Sequence, residues 1–311
     1  MFIKTFKQIS KADAGLAGGK GASLGELNRA GFSVPPGFVV LAPAFDRFLK
    51  ETELNLEIDA MLKKINHKDI NSINRASEEI RGLIAAAEMP KILQQSILDH
   101  FDGLKTKFVA VRSSATAEDS KTASWAGELE TFLNVQKKDV ISLVKKCWSS
   151  LFTPRAIFYR FEKKLQKQKI SVAVVVQKMA QSQVSGICFT VHPVTKDKNQ
   201  MVIEAGFGLG EAIVSGQITP DTYVLQKNNF AILDVNISEQ SMMLIKTPSG
   251  NKLKKLSAAA GGKQKLAAKQ IMTLAKICGN IEKHYGEPQD IEWAMEKGKF
   301  YITQSRPITT L

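Results

Sequence analysis

The hydrophobic pattern of this chain changes character at mid-length, and that change restricts its possible folds more than any other feature. The first half reads as mostly helical: a helix near 44–50, amphipathic helices near 73–87 and 90–101, and helices near 138–150 and 154–166. Thr153-Pro154 starts the last of these well, with a capping hydroxyl and then a proline whose missing N–H costs nothing at the first helical position. Two strands interrupt, 37–41 after Pro35-Pro36 and 108–111. The second half reads as strands at 171–179, 184–190, 200–205, 222–226 and 231–236, broken by Gly, Asn and Pro. One long helix, 262–285, precedes a closing hairpin at 290–305. This order predicts an α+β protein of two lobes, 1–177 and 178–311, with a cleft between them.

Composition excludes several classes. Apolar residues make up 44% and charged residues 23%, the proportions of a soluble globular protein. The first ten residues contain no apolar core of a signal peptide, and the run Val172–Val176 is too short to cross a bilayer. No membrane partner is expected. The three cysteines (Cys147, Cys188, Cys278) are widely spaced without a CxxC, which argues against disulfides and zinc and fits a cytoplasmic location. The net charge of +13 invites a nucleic-acid reading. The lysines are scattered, however, and lack interleaved arginines and aromatics, so solvated faces are expected instead. A cleft for a polyphosphate needs only a few of them.

Glycine clusters suggest a nucleotide, yet both standard motifs fail. Residues 15–21 (GLAGGKG) lack the spacing and hydroxyl of a P-loop, and residues 206–210 (GFGLG) are not GxGxxG. In GGKGASLGEL (18–27), Lys20 is expected in a glycine loop just before a helix, where free amides and one ammonium suit an anion. In VRSSATAEDS (111–120), Arg112 is expected at the end of a strand. Its planar fork can hold two phosphate oxygens or pair with Glu118 or Asp119. Residues 124–127 (SWAG) form a small-residue loop leading to Thr131, able to close over phosphates through its backbone amides.

The closing hairpin carries the most chemistry. A three-residue loop, Glu296-Lys297-Gly298 with Gly298 left-handed, sets Asp290 opposite Gln304 and Glu292 opposite Ile302. Asp290, Glu292, Gln304 and Arg306 then share one face, whereas a two-residue loop separates them. Two carboxylates, an amide oxygen and an arginine suit a Mg²⁺–triphosphate complex; the alternative is a charged surface ladder.

The blocks GGKGASLGEL, VRSSATAEDS, SWAGELETFLNV, SLFTPRAIFYR, VVVQKM, GICFTVHPVT, EAGFGLGEAIVSGQITPDTY and QDIEWAMEKGKFYITQSRPITT follow in order. Together they resemble the ATP-grasp domain of the phosphoenolpyruvate synthase (pyruvate, water dikinase) family, related to pyruvate, phosphate dikinase and rifamycin phosphotransferase. The resemblance implies an ATP-grasp fold with MgATP between two lobes. It implies that Lys20 and Arg112 contact phosphates, that Gly127 and Thr131 belong to a covering loop, and that Gln177 lies beside the adenine. Glu292 and Gln304 are implied to hold Mg²⁺, and Arg306 to neutralise charge on the transferred group. The implied activity is a phosphotransferase: the β-phosphate of ATP passes to a histidine on a swivelling domain, and AMP is released. Neither that domain's threonine-serine-histidine signature nor a pyruvate-binding barrel occurs in the 311 residues. The histidine partner is therefore expected in trans or on a further part of the enzyme. The alternatives are the corresponding domain of a rifamycin phosphotransferase and a stand-alone nucleotide-binding module.

Overall fold

A computed structural model describes residues 2–116, 119–120, 123–124, 130–163, 165, 171–247 and 250–309. The chain divides into two compact units, Met1–Arg29 with Pro36–Met179, and Ala30–Pro35 with Ala180–Leu311. The class is α+β, as expected.

In the first unit the order is β1 (Ile3–Thr5), α1 (Ala14–Arg29), β2 (Gly37–Val40), α2 (Ala42–Glu51), α3 (Leu54–Lys63), α4 (Ile70–Ala86) and α5 (Lys91–Gly103). Then come β3 (Val109–Ala115), β4 (Asp119–Ser120), β5 (Ala123–Ser124), β6 (Thr131–Val135), α6 (Val140–Ser149), α7 (Pro154–Glu162) and β7 (Val172–Lys178). Among the described residues, five strands form an antiparallel sheet in the order β1-β2-β7-β3-β6. The last strand in sequence thus lies at the centre of the sheet. That position explains why Val172–Val176 is uninterrupted valine and alanine: all five residues are 0% exposed, buried on both faces.

One face of this sheet (Phe38, Val40, Val111, Val174, Val176) joins a core with Phe45, Phe48, Ile80, Ile97 and Trp148. Thr153 caps α7 as its sequence announced, accepting the Ala156 N–H at 3.1 Å, while α2 and α5 have no side-chain cap. Burial outweighs that deficit: a missing cap costs about 1 kcal/mol, whereas each large buried apolar side chain contributes about 1.5–3 kcal/mol. Helix α1 covers the opposite face, where a Cβ at Gly21 would lie 3.1 Å from Val39.

The second unit contains β8 (Val184–Phe189), β9 (Gln200–Phe207), α8 (Glu211–Val214), β10 (Asp221–Gln226), β11 (Ile232–Asn236), β12 (Met242–Thr247) and β13 (Gly250–Lys255). It ends with α9 (Ala258–Gly261), α10 (Ala268–Tyr285), β14 (Gln289–Glu296) and β15 (Lys299–Pro307). Its antiparallel sheet runs β11-β10-β9-β8-β14-β15, with β12 and β13 paired apart. Residues 30–35 join this unit: the Ser33 carbonyl accepts the Ile302 N–H at 2.8 Å. Helix α10 covers one face of the sheet through Ile271, Leu274, Cys278 and Ile281, all 0% exposed. It starts later than the predicted 262, because Ser257 caps the separate helix α9.

A buried ion pair ties both ends of the segment 238–266 to β10. Lys265 Nζ lies 2.8 Å from Asp221 Oδ1, and both side chains are fully buried. Nζ also donates to the carbonyls of Ser238 (2.5 Å) and Gly261 (2.9 Å). Asp221 accepts from the N–H groups of Ser238 and Lys265 and from the Tyr223 hydroxyl. Burial and the neighbouring Asp221 push the Tyr223 hydroxyl well above its usual range, so it remains a donor. Each buried charge is paired and hydrogen-bonded, the condition under which burial is tolerated. We predict that Lys265→Met lowers the unfolding free energy by about 3–5 kcal/mol, because Asp221 is left uncompensated. In urea titrations, the double variant with Asp221→Asn should lose less.

Candidate functional site

In the first unit the predicted site residues gather on the α1-covered face of the sheet. Arg112 pairs with Thr131 on one side and Val175 on the other. Gln177 lies two residues further along β7, paired with Ala110 and Gly37. Because facing residues of paired strands point the same way, Arg112, Ser114, Thr131 and Gln177 share this face. Arg112 and Gln177 are 7% and 3% exposed. Arg112 stands mid-strand rather than at a strand end, because β3 continues through Arg112-Ser113-Ser114-Ala115. Gly127 and Glu118 lie outside the described residues.

Lys20 requires a correction. It lies within α1 and not in a loop, two residues after a break at Gly18 (φ 69°, ψ 170°). A left-handed φ is inexpensive only for glycine, and here a Cβ would also fall 2.2 Å from Ser114 Oγ. The glycines of GGKG therefore interrupt a helix at one point.

In the second unit the hairpin reaches the predicted face by a different route. The turn has two residues, Lys297 (φ 50°) and Gly298 (φ 76°), both left-handed as a type I′ turn requires. Alone, that turn would separate the polar side chains. A bulge restores them: Thr303 is an extra residue in β15, so Glu292 pairs with Gln304 and Asp290 with Arg306. The expected pairings, Asp290 with Gln304 and Glu292 with Ile302, are therefore replaced, while the expected face is kept. Arg306 donates to Asp290 Oδ2 from Nε (2.8 Å) and Nη2 (2.7 Å). Gln304 is 6% exposed.

One residue of this face escaped the sequence reading. Glu204 on β9 pairs with Ile187, which pairs with Glu292, so the three form one row across the sheet. The signal was present, since Glu204 is a lone carboxylate between apolar neighbours in MVIEAGF. Burial raises the Glu204 carboxyl above its ordinary range, and the negative charge of Asp290 adds to this. Burial likewise raises the Asp290 carboxyl; Arg306 pulls it down and Glu292 pushes it up. Burial and neighbouring carboxylates thus act in the same direction on this face, with Arg306 opposing them at Asp290.

The GFGLG segment binds its own unit. Phe207 N–H donates to the Gln240 side chain (2.8 Å), Gly208 N–H to the Gln183 carbonyl (3.0 Å), and Leu209 N–H to the Leu244 carbonyl (2.9 Å). These amides are not available to a phosphate. His192 acts structurally: its Nδ1 accepts the N–H groups of Val194 and Thr195. Cys147, Cys188 and Cys278 are buried free thiols. Among the described residues no set of three or more His, Cys, Asp or Glu could hold a metal, and no helix is long and apolar enough to cross a membrane.

Comparison with known proteins adds an independent observation. The "probable phosphoenolpyruvate synthase" of Methanocaldococcus jannaschii is 46% identical over 318 aligned positions, covering 100% of this chain and 27% of the relative. That of Archaeoglobus fulgidus is 47% identical, covering 97% and 41%. A rifampicin phosphotransferase of Bacillus subtilis is 37% identical, covering 98% and 35%. The chain thus spans less than half the length of these relatives. Residues 14–311 match the family described as "pyruvate phosphate dikinase, AMP/ATP-binding domain". With nearly the whole chain matched and the polar faces of both sheets in place, this protein belongs to that AMP/ATP-binding domain family.

Proposed function

We propose that this chain is the MgATP-binding domain of a phosphoenolpyruvate synthase, its two units being the lobes of an ATP-grasp domain. In this reading the first unit contributes Lys20 and Arg112 to the phosphates, Gly127 and Thr131 to their cover, and Gln177 to the adenine. The second contributes Glu292 and Gln304 to Mg²⁺, and Arg306 to the phosphoryl group in transit. A histidine of a separate domain attacks the β-phosphorus and the bond to the AMP oxygen breaks, so AMP leaves and the histidine carries the β- and γ-phosphates; water then takes the γ-phosphate away as inorganic phosphate. The phosphorylated histidine then serves pyruvate.

The observation that supports this most is the paired Glu292 and Gln304, on one face with Glu204 and Asp290, whose carboxyls are both raised above their ordinary range. A carboxylate and an amide oxygen fit Mg²⁺, which takes few protein ligands and fills its remaining positions with phosphate oxygens and water. Once bound, the ion would screen the phosphate charge. Arg306, held at Asp290 by two hydrogen bonds, keeps its guanidinium on the same face, oriented before any charge develops. Arg112, buried and mid-strand, offers the rigid counterpart in the first unit.

The direct experiment mixes this protein with a separately expressed histidine domain of a phosphoenolpyruvate synthase and ATP labelled in its β-phosphate. Labelled phosphohistidine and released AMP are expected, with the label passing to pyruvate. No label on the histidine, given measured ATP binding, would refute phosphotransfer and leave a nucleotide-binding module. Label accepted by a rifamycin instead of pyruvate would favour the second enzymatic reading.

Two variants test the roles. Arg306→Ala should slow histidine phosphorylation by about 2–4 kcal/mol of transition-state stabilisation, read as the single-turnover rate. Glu292→Gln should abolish the Mg²⁺-dependent part of ATP affinity in calorimetry without altering the circular dichroism spectrum. Deleting Thr303 tests the register itself. It removes the extra residue, so a regular strand keeps Gln304 opposite Glu292 and Arg306 opposite Asp290, and Mg²⁺-dependent binding should persist; its loss would refute the reading that the bulge only sets the register.

A further inference from the structure

We propose that Ser114 is a positioning residue for Lys20, an inference that rests on the reading of Lys20 as a phosphate contact. In an unbroken helix the Gly21 N–H would bond to the Ala17 carbonyl, four residues earlier. That bond is open. The Ser114 hydroxyl is inserted into it, accepting from Gly21 N–H at 3.2 Å and donating to the Ala17 carbonyl at 3.0 Å. Side-chain insertion of this kind is one of the few recognised causes of a sharp helix break. Gly18, between the two bonded residues, takes the left-handed conformation that lets the chain pass around the hydroxyl.

The fit leaves no room for alternatives. Ser114 is 0% exposed, and a Cβ on Gly18 would lie 2.2 Å from its Oγ and 2.3 Å from its carbonyl oxygen. A hydroxyl donates and accepts at one atom, which closing this gap demands. Alanine at 114 leaves a buried N–H and a buried carbonyl without partners, or lets them find each other and straighten the helix. Straightening would turn Lys20, two residues beyond the break, away from its present direction. Ser114 also stands on the same face of β3 as Arg112, two residues away, and pairs with Ala173 of the central strand. One strand therefore carries one proposed phosphate contact and fixes the direction of the other.

The test is a double-mutant cycle on MgATP affinity, measured by calorimetry with thermal melts alongside. Ser114→Ala should raise the Kd at least about tenfold. In a Lys20→Met background the same change should shift it by less than about twofold, because the residue it positions is already gone. A Ser114→Ala protein that binds as the wild type does, while Lys20→Met binds weakly, overturns the inference alone. So does an equal loss in both backgrounds, which marks Ser114 as merely structural. A Lys20→Met protein with unchanged affinity overturns the phosphate reading of Lys20 and the inference with it. Ser114→Cys keeps a weaker donor and acceptor at the same place. It should bind MgATP better than Ser114→Ala; affinity no better than that of Ser114→Ala would overturn the proposal, and this variant carries the test if Ser114→Ala fails to fold.

Discussion

A pleated strand shows alternate side chains to opposite faces, and everything distinctive about this protein depends on that alternation being kept in register. In the first sheet the odd residues of β3 face a helical core and the even ones face α1, so Val111 is sealed among phenylalanines while Arg112 and Ser114 are displayed. In the second, Ile291 and Trp293 are buried while Asp290 and Glu292 point the other way. Stability and chemistry are thereby assigned to opposite sides of the same strands. The apolar sides contribute about 1.5–3 kcal/mol per large buried side chain, against about 0–1 kcal/mol for an exposed ion pair. Rigidity in the polar rows is inherited from the apolar face behind them.

Buried charge in the second unit takes two forms, and the contrast is informative. Lys265 and Asp221 are enclosed and fully satisfied, with every strong donor and acceptor matched within the protein. Such a pair serves to anchor a segment whose two strands, among the described residues, pair only with each other. Glu204, Asp290 and Glu292 are arranged differently. Burial and neighbouring carboxylates raise the first two carboxyls, and Arg306 opposes this at Asp290. The enclosed pair is settled within the protein, whereas this row keeps carboxyls raised above their ordinary range.

Much of this was legible in the sequence. Seven regular elements of the second unit and the principal helices of the first follow from apolar spacing, and the five-residue apolar run at 172 correctly announced a strand buried on both faces. What escaped detection has identifiable physical causes. Helix α3 and the hairpin β12–β13 lack a readable period: Leu54, Leu56 and Ile58 alternate with polar residues as they would in a strand, and in β13 Asn251, Lys252, Lys254 and Lys255 surround one leucine. Lys20 was assigned to a loop because four glycines disfavour helix, but tertiary packing against Val39 and Ser114 overrides local propensity. The hydroxyl that makes the break possible lies 93 positions away from Gly21, beyond any local signal. Similarly, Thr303 has no feature that marks it as a bulge; its role emerges only once the turn is seen to contain two residues.

The Thr303 bulge has a consequence for how chains of this architecture can diverge. Trp293 opposite Ile302 on the tip side and Glu292 opposite Gln304 beyond it fix the pairing, so loss of Thr303 leaves a regular strand with the same partners. A residue added elsewhere and drawn into the ladder has no such latitude, because it reverses the facing of every β15 residue beyond it. Length changes in this ribbon should therefore be tolerated at the tip and at position 303, and a hairpin alignment that slides a gap from either place into the ladder would misassign the facing of Gln304 and Arg306.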